Sequence, residues 1–155
     1  MAEKTAVTAG GPLPPVLLLV AIGLMALLHA LVPVAQLVTW PWRIFGGVPV
    51  VAGLVLNVWG DRLFKQAGTA IKPFDPTTSL VLNGPFSFSR HPMYLGMVLV
   101  LAGVAVGLGS ATPWLVIPVF VWLVDRHFIV AEERKLEADF GARYLEYKAR
   151  VRRWI

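Results

Sequence analysis

The sequence predicts an all-α fold, a polytopic membrane bundle of about four transmembrane helices followed by a C-terminal amphipathic helix. Of its 155 residues 57% are hydrophobic and 15% are charged, whereas about a quarter of a soluble domain is charged. Apolar stretches of about the length that crosses a bilayer recur along the chain. The charged residues gather between and after these stretches, so we expect a single integral membrane domain over residues 1–155.

The first predicted span covers residues 14–38, after a flexible N-terminus at residues 1–13. Pro14 and Pro15 suit the first turn of a helix, where a missing N–H costs nothing. Pro33 lies inside the apolar stretch, and we expect it to kink the helix. The apolar stretch is too long for the usual core of a signal peptide, so we expect it to be retained as a span.

Three further spans are predicted over residues 48–64, 92–108 and 113–130. The link between the last two, Gly109-Ser110-Ala111-Thr112, has room for a tight turn only. These two spans should therefore form an antiparallel hairpin whose outer ends lie on the same side of the membrane. Before the hairpin, residues 67–91 are rich in proline and Asn-Gly and predict an irregular loop.

Residues 131–155 predict a C-terminal amphipathic helix. Apolar side chains recur there at close to helical period, at Leu136, Phe140, Tyr144, Tyr147 and Val151. Charged residues fill most of the other positions. Such a helix lies either on the membrane surface or folded back over the bundle.

The distribution of basic residues predicts the orientation. Eight of the fourteen Lys and Arg residues lie between Arg126 and Arg153, and others occupy the 67–91 loop, whereas the opposite side has only Arg43. By the positive-inside rule, both termini and the central loop face the cytoplasm. The tryptophans at 40, 42 and 114 then form an aromatic belt at the far interface. We interpret the basic tail as facing anionic membrane lipid, not nucleic acid.

Some chemistries are excluded or disfavoured. The chain has no cysteine, which excludes disulfides, thiolate metal sites and cysteine nucleophiles. Its three histidines, His29, His91 and His127, are too scattered to suggest a metal site. We expect His29, inside the first span, to be a packing or hydrogen-bonding residue.

Two polar islands remain as candidates for a functional site. In the first, Arg90-His91-Pro92 begins the third span, because proline suits a first helical turn. The N-terminus of a helix beside Arg and His can bind a carboxylate or phosphate. Tyr94 and Gly96 follow, and Gly96 leaves room for a ligand or a neighbouring helix. The alternative is that Arg90 and His91 only reach the interface while Gly96 packs helices.

The second island is Glu132-Glu133, at the end of the fourth span. Topology favours basic residues there, so the acids need another explanation. Asp125 shares a helical face with Glu132, and Arg126 shares one with Glu133, because seven residues make about two turns. This arrangement is either an intrahelical ion-pair ladder or a site for a cationic group such as an amine. Together the two islands would suit an amino-acid-like ligand.

The ordered motifs resemble those of the isoprenylcysteine carboxyl methyltransferase family and the related phospholipid methyltransferases, which are integral membrane enzymes. They are Gly84-Pro85-Phe86-x3-Arg90-His91-Pro92-x-Tyr94-x-Gly96, Glu132-Glu133-x2-Leu136, and Phe140-Gly141-x2-Tyr144-x2-Tyr147-x3-Val151-x-Arg153-Trp154-Ile155. The resemblance runs from about Thr69 to the C-terminus. Spans one and two match only in being hydrophobic.

The resemblance implies S-adenosyl-L-methionine as cofactor and methyl transfer to a hydrophobic or lipid-like acceptor, a carboxylate, amine or thiol, at the cytoplasmic membrane face. It implies a cofactor site formed by His91, Pro92, Tyr94, Gly96, Glu132 and Glu133. The catalytic candidates are Arg90, which would orient an anionic acceptor, and Glu133. An ion pair between these two is the structural alternative. Eukaryotic members of the family have more spans, so the resemblance does not identify the acceptor.

Two other functions are weighed against methyl transfer. Membrane sterol and enone reductases carry a similar Arg-His-Pro-x-Tyr-x-Gly segment and bind NADPH, but this chain lacks obvious extra basic residues for the 2′-phosphate. A small four-helix transporter subunit would need an ionisable residue deep in a span. Only His29 meets that need in the first span. The sequence does not indicate an oligomeric state.

Overall fold

A computed structural model describes residues 13–68 and 79–155, and the predicted flexible N-terminus lies almost wholly outside these ranges. Within them the chain is helical and has no β-strand, and one isolated bridge joins Gln36 to Ser110. Three helical segments in these ranges are long and apolar enough to cross a membrane: Pro14–Leu31, Trp42–Gln66 and Thr112–Phe140. A shorter apolar helix, Pro92–Leu108, packs among them. The predicted class, an all-α membrane helix bundle, is confirmed.

Helix α1 spans Pro14–Leu31, with proline in its first turn as predicted. It ends seven residues before the predicted boundary at Val38, so the expectation of one helix kinked at Pro33 is wrong. Val32 has φ −137° and ψ 63°, outside the helical region. The physical reason is that a proline disfavours the α conformation in the residue before it, which ends the helix instead of bending it.

Helix α2 spans Gly47–Gln66 and follows a short 3₁₀ turn at Trp42–Gly46. It lies against helix α3, Pro92–Leu108, along a line of glycines spaced seven residues apart. A Cβ on Gly53 would come within 2.3 Å of the Gly96 carbonyl oxygen, and one on Gly103 within 2.4 Å of the Gly46 carbonyl oxygen. The two backbones therefore touch, as small residues permit in membrane helix pairs.

The predicted bounds of the third helix, residues 92–108, are confirmed by α3. Gly109 ends it with φ +81°, a conformation that glycine adopts without strain, so the predicted tight turn forms. The loop after α1 packs on this turn, since the Gly109 carbonyl accepts hydrogen bonds from the amides of residues 37 and 38. His29 Nδ1 lies 2.7 Å from Ser110 Oγ, which confirms the hydrogen-bonding role predicted for this histidine.

The fourth span is longer than predicted, because the chain stays helical to Phe140. It comprises a 3₁₀ turn at Thr112–Leu115, helix α4 at Val116–Val124, a π turn at Asp125–Ile129 and helix α5 at Val130–Phe140. Gly141, at φ +51°, then breaks the helix, and α6 spans Ala142–Arg150. The prediction of one C-terminal helix over residues 131–155 is therefore wrong.

The π turn also changes which side chains share a face. A π turn takes up about one residue more than an α turn, so residues eight apart align here instead of residues seven apart. Arg153 contacts both Asp125 and Glu133, which shows that these two acids lie on the same side. We expected Asp125 to share a face with Glu132, as it would in a regular helix. In the structure it shares one with Glu133 instead.

The core lies between α1, α3 and α4, with Met25, Leu101, Val124 and Ile129 fully buried. Much of the outward apolar surface of α1 and α2 is exposed, as lipid-facing helices require; Leu19 is 68% and Val48 is 66% exposed. In the C-terminal segment the predicted apolar stripe faces inward, and Tyr144 is buried. Helix α6 thus folds back over one end of the bundle, the second of the two predicted placements.

Candidate active site

Four segments meet at one end of the bundle and bring the two polar islands together. They are the residues before α3, the start of α3, the first turn of α5, and the C-terminal segment from α6 to Arg153. Ser89 is fully buried, and its Oγ accepts a hydrogen bond from the His91 amide at 3.2 Å. The Arg90 amide donates to the Arg152 carbonyl at 3.0 Å. Backbone contacts therefore fix the start of α3 against the C-terminal segment.

His91 is buried and lies between the two predicted glutamates. Its Nδ1 is 3.5 Å from Glu132 Oε2, and its Nε2 is 3.3 Å from Glu133 Oε1. Burial lowers the pKa of His91, but the hydrogen bonds and charges of Glu132 and Glu133 together raise it above its ordinary value. Both ring nitrogens donate to carboxylates only in the imidazolium form, so this geometry favours a charged histidine.

Glu133 is the centre of the cluster and has three cationic partners. Its Oε1 lies 2.9 Å from Arg90 Nη2 and accepts from Arg153 Nε at 3.1 Å, in addition to its contact with His91. Its Oε2 accepts from Arg153 Nη2 at 2.7 Å. With a side chain only 5% exposed, Glu133 is neutralised from several sides, which a buried carboxylate requires.

Glu132 differs from its neighbour in exposure and in partners. Its side chain is 24% exposed, and its Oε1 accepts a 2.6 Å hydrogen bond from the Tyr94 hydroxyl. Apart from this bond and the contact with His91, no hydrogen bond to Glu132 is recorded in the described part of the chain. Each oxygen of Glu132 thus has one protein donor and keeps acceptor capacity on an exposed side, whereas Glu133 is buried and receives four contacts from three cationic side chains.

Arg90 is held chiefly by protein groups. Its side chain is 9% exposed; Nη2 pairs with Glu133, and Nη1 donates to the Lys148 carbonyl at 3.3 Å. Its buried Nε has no hydrogen-bond partner among the described residues. The structure thus contains the Arg90–Glu133 ion pair named above as the structural alternative, and a direct role of either residue on an acceptor stays a prediction.

The other two predicted cofactor residues lie on different sides of α3. Pro92 is fully buried at the first position of the helix, beside the polar cluster. Gly96 faces α2, where a Cβ would come within 2.3 Å of Asn57 Nδ2 and 2.6 Å of the Gly53 carbonyl oxygen. The space left by Gly96 is filled by the neighbouring helix, and its predicted role toward a cofactor stays untested.

Arg153 is the site residue that sequence reasoning missed. Its guanidinium joins Glu133 to Asp125, whose carboxylate lies 3.0 Å from Nη1. The hydrogen bond to Glu133 raises the pKa of Arg153, and burial lowers it. The charges of Glu133 and Asp125 raise it further, so the pKa lies above its ordinary value. The quoted motif already contained Arg153, but nothing in its position indicated a contact with residues twenty and more positions earlier.

The fold and this cluster define the class: an integral membrane protein with a charged, partly buried site at one end of its helix bundle. A family model described as phospholipid methyltransferase matches residues 42–143, about two thirds of the chain. The chain belongs to the phospholipid methyltransferase family. This membership places it among the membrane methyltransferases and agrees with the resemblance drawn from its motifs.

Curated relatives point the same way. Protein-S-isoprenylcysteine O-methyltransferase of Rattus norvegicus is 34% identical over 109 residues, which are 64% of this chain and 38% of that protein. The B form from Arabidopsis thaliana is 32% identical over 108 residues, 64% of this chain and 55% of that protein. An uncharacterized protein of Haemophilus influenzae is 38% identical over 63 residues, 41% of this chain and its own full length.

The chain therefore spans between about two fifths and about half of the length of the isoprenylcysteine methyltransferases named here. No solved structure matches the chain at a significant level.

Proposed function

We propose that this protein transfers a methyl group from S-adenosyl-L-methionine to a hydrophobic or lipid-like acceptor at the cytoplasmic face of a membrane. The observation that carries the proposal is the pairing of a partly exposed carboxylate, Glu132, with the N-terminus of α3. The side chain of His91, the residue before that helix, makes no capping hydrogen bond. A cation site and an anion site thus lie side by side.

The residues present fit this cofactor. A methionine group carries an ammonium and a carboxylate, and Glu132 and the start of α3 with His91 match these two charges in sign. The Tyr94 hydroxyl holds Glu132 from one side and fixes the direction of its carboxylate. Pro92 and Tyr94 supply buried walls at the same place. We assign Glu132, not Glu133, to the cofactor because Glu132 is the more exposed of the two, whereas Glu133 is buried and already paired with Arg90 and Arg153.

When bound, S-adenosylmethionine supplies an activated methyl group: its carbon–sulfur bond breaks as the bond to the acceptor forms, and the electron pair stays on sulfur. A carboxylate or thiolate acceptor needs no proton removed, whereas an amine releases one. Such a transfer depends on positioning and on exclusion of water more than on an acid or base. Residues that hold and orient ligands, such as those of this cluster, suit that requirement.

The acceptor class rests on the surroundings of the site and on the relatives. Helix α2, which packs along α3, exposes apolar side chains such as Val55 and Val58, so a ligand that dissolves in the bilayer would reach the site along the membrane. The name of the relatives describes O-methylation of a protein isoprenylcysteine. We extend to this chain only the broader class, a hydrophobic acceptor, because the chain covers about half or less of those proteins.

Titration calorimetry tests the cofactor assignment. Detergent-purified protein should bind S-adenosylhomocysteine, and Glu132→Ala and His91→Ala should each weaken binding about tenfold or more, because each removes a contact to a charged group. Glu146→Ala is the control, since its side chain lies on α6 and is 70% exposed. Absence of binding by the wild type would refute the methyltransferase proposal. Binding of NADPH instead would favour the reductase alternative.

Thiol labelling tests the orientation, because the chain has no cysteine of its own. Glu146→Cys lies near the site, and Trp40→Cys lies at the other end of the bundle, where Trp40 is 74% exposed. A membrane-impermeant maleimide added to whole cells should label position 40 and spare position 146. The reverse pattern would contradict a cytoplasmic site. Methylation of membrane lipid extracts with a radiolabelled donor would then identify the acceptor.

A further inference from the structure

Arg153 joins two segments that are far apart in sequence. Its Nε and Nη2 contact the two oxygens of Glu133 in α5, at 3.1 and 2.7 Å, and its Nη1 contacts Asp125 in the π turn at 3.0 Å. A planar guanidinium can hold a carboxylate with two parallel bonds, which an ammonium cannot do. This geometry fixes the rotation of the Glu133 carboxylate as well as its position.

The orientation of Glu133 decides how His91 and Arg90 are held. Its Oε1 faces Arg90 and His91 while its Oε2 is taken by Arg153. Without the second contact the carboxylate would be free to rotate within the cluster and to draw the imidazolium toward itself. His91 would then be held less firmly against Glu132 on its other side.

The backbone of the same segment contacts the start of α3. The Arg152 carbonyl accepts from the Arg90 amide, and the Arg153 carbonyl accepts from Ser89 Oγ at 3.3 Å. Ser89 Oγ in turn accepts from the His91 amide. The position of Arg153 is therefore coupled through one buried serine to the backbone of the residue that begins the site.

The π turn makes the arrangement possible. Asp125 and Glu133 are eight residues apart, and the extra residue that a π turn takes up brings them to one side of the helix. π turns occur frequently at functional sites. In a regular helix, residues eight apart are rotated by about 80° from each other, so the two acids would point less nearly in the same direction.

We propose that Arg153 is a positioning residue of the methyltransferase site, which keeps Glu133 turned toward Arg90 and His91 so that Glu132 is the carboxylate left for the cofactor. This inference rests on the proposed function. Arg153 itself does not touch the reacting atoms. Loss of a partly exposed arginine usually has a small effect. Removal of Arg153, which is 34% exposed, should nevertheless weaken cofactor binding.

The test compares Arg153→Gln, Arg153→Lys and the control Arg150→Gln in detergent-purified full-length protein. Arg150 is 78% exposed and pairs only loosely with Glu146, so its removal makes the same change of charge at the surface. S-adenosylhomocysteine affinity is measured by calorimetry well below the melting temperature of each variant. We expect a loss of about tenfold or more for Arg153→Gln, the scale on which supporting residues around a site act.

Arg153→Lys should recover part of the affinity, because one ammonium can neutralise Glu133 without fixing its rotation. In turnover assays the KM for S-adenosylmethionine should rise more than kcat falls, which a general loss of stability would not produce. Wild-type affinity in Arg153→Gln would overturn the proposal and leave the proposed function standing. If that variant does not fold, wild-type affinity in Arg153→Lys overturns it equally. A wild-type protein that binds no S-adenosylhomocysteine overturns both.

Discussion

The same substitution should affect the two adjacent glutamates to different extents. Glu133→Gln removes the counter-charge of Arg90, whose side chain is 9% exposed, while Glu133 itself is 5% exposed. Breaking such a buried pair from one side costs about 3–5 kcal/mol. The contact with Arg153 adds little to this figure, since its side chain is 34% exposed and keeps Asp125 as a partner.

For a chain of about this length, 1 kcal/mol corresponds to roughly 2–4 °C in melting temperature. Glu133→Gln should therefore lower the melting temperature in detergent by about 10 °C. Glu132→Gln should lower it by less, about 2–4 °C, because the amide oxygen still accepts from Tyr94 and only the contact of a partly exposed carboxylate with His91 is lost.

Ligand binding tests the role of Glu132 directly. Glu132→Gln removes the charge assigned to the cofactor ammonium, worth about 2 kcal/mol, or about thirtyfold in affinity for S-adenosylhomocysteine. Thermal melting and calorimetry on the same preparations measure both effects. If Glu132→Gln melts as low as Glu133→Gln, or binds like the wild type, the division of roles between the two acids is wrong.

Three further perturbations have defined outcomes. Tyr94→Phe should weaken S-adenosylhomocysteine binding about tenfold, because Glu132 loses a hydroxyl donor; unchanged affinity in calorimetry would contradict this. The pKa of His91 is raised in the folded protein, so its stabilising contribution is complete below about pH 6.5 and is lost as pH rises through the raised value. Melting temperature should fall over that interval, and a His91→Gln variant with the same pH dependence would refute the assignment. Gly53→Ala should destabilise by about 1–3 kcal/mol through overpacking, whereas Gly23→Ala, with open space around it, should not; equal melting temperatures would contradict the contact.

Local signals predicted the parts of the fold that depend on a few neighbouring residues. Helix α3 begins and ends where Pro92 and Gly109 indicated, since proline suits a first turn and glycine a left-handed end. Pro33 was misread, because proline inside an apolar stretch can either bend a helix or end it. In the structure Val32, the residue before Pro33, is non-helical, and the loop that follows α1 packs on the turn at Gly109.

The candidate site, too, could be predicted only in part. Residue types and spacing identified both polar islands, and the structure brings Arg90, His91, Glu132 and Glu133 together. The partners within the cluster could not be predicted, because a π turn has no sequence signal of its own and changes the register of α5 by one residue. The contacts of Arg153 depend on that register and on the break at Gly141, two features that become apparent only in three dimensions.

The glycine line between α2 and α3 has a consequence for how a large ligand enters. Its two backbone contacts, Gly46 with Gly103 and Gly53 with Gly96, lie about 10 Å apart along the helix axis, about a third of the roughly 30 Å hydrocarbon core. Backbones that touch at both points cannot slide past each other without losing these contacts, so we expect this part of the α2–α3 pair to move as one unit. We therefore expect any movement that admits an acceptor from the bilayer to occur outside this contact, and labels that report helix movement are best placed on α1 and α4.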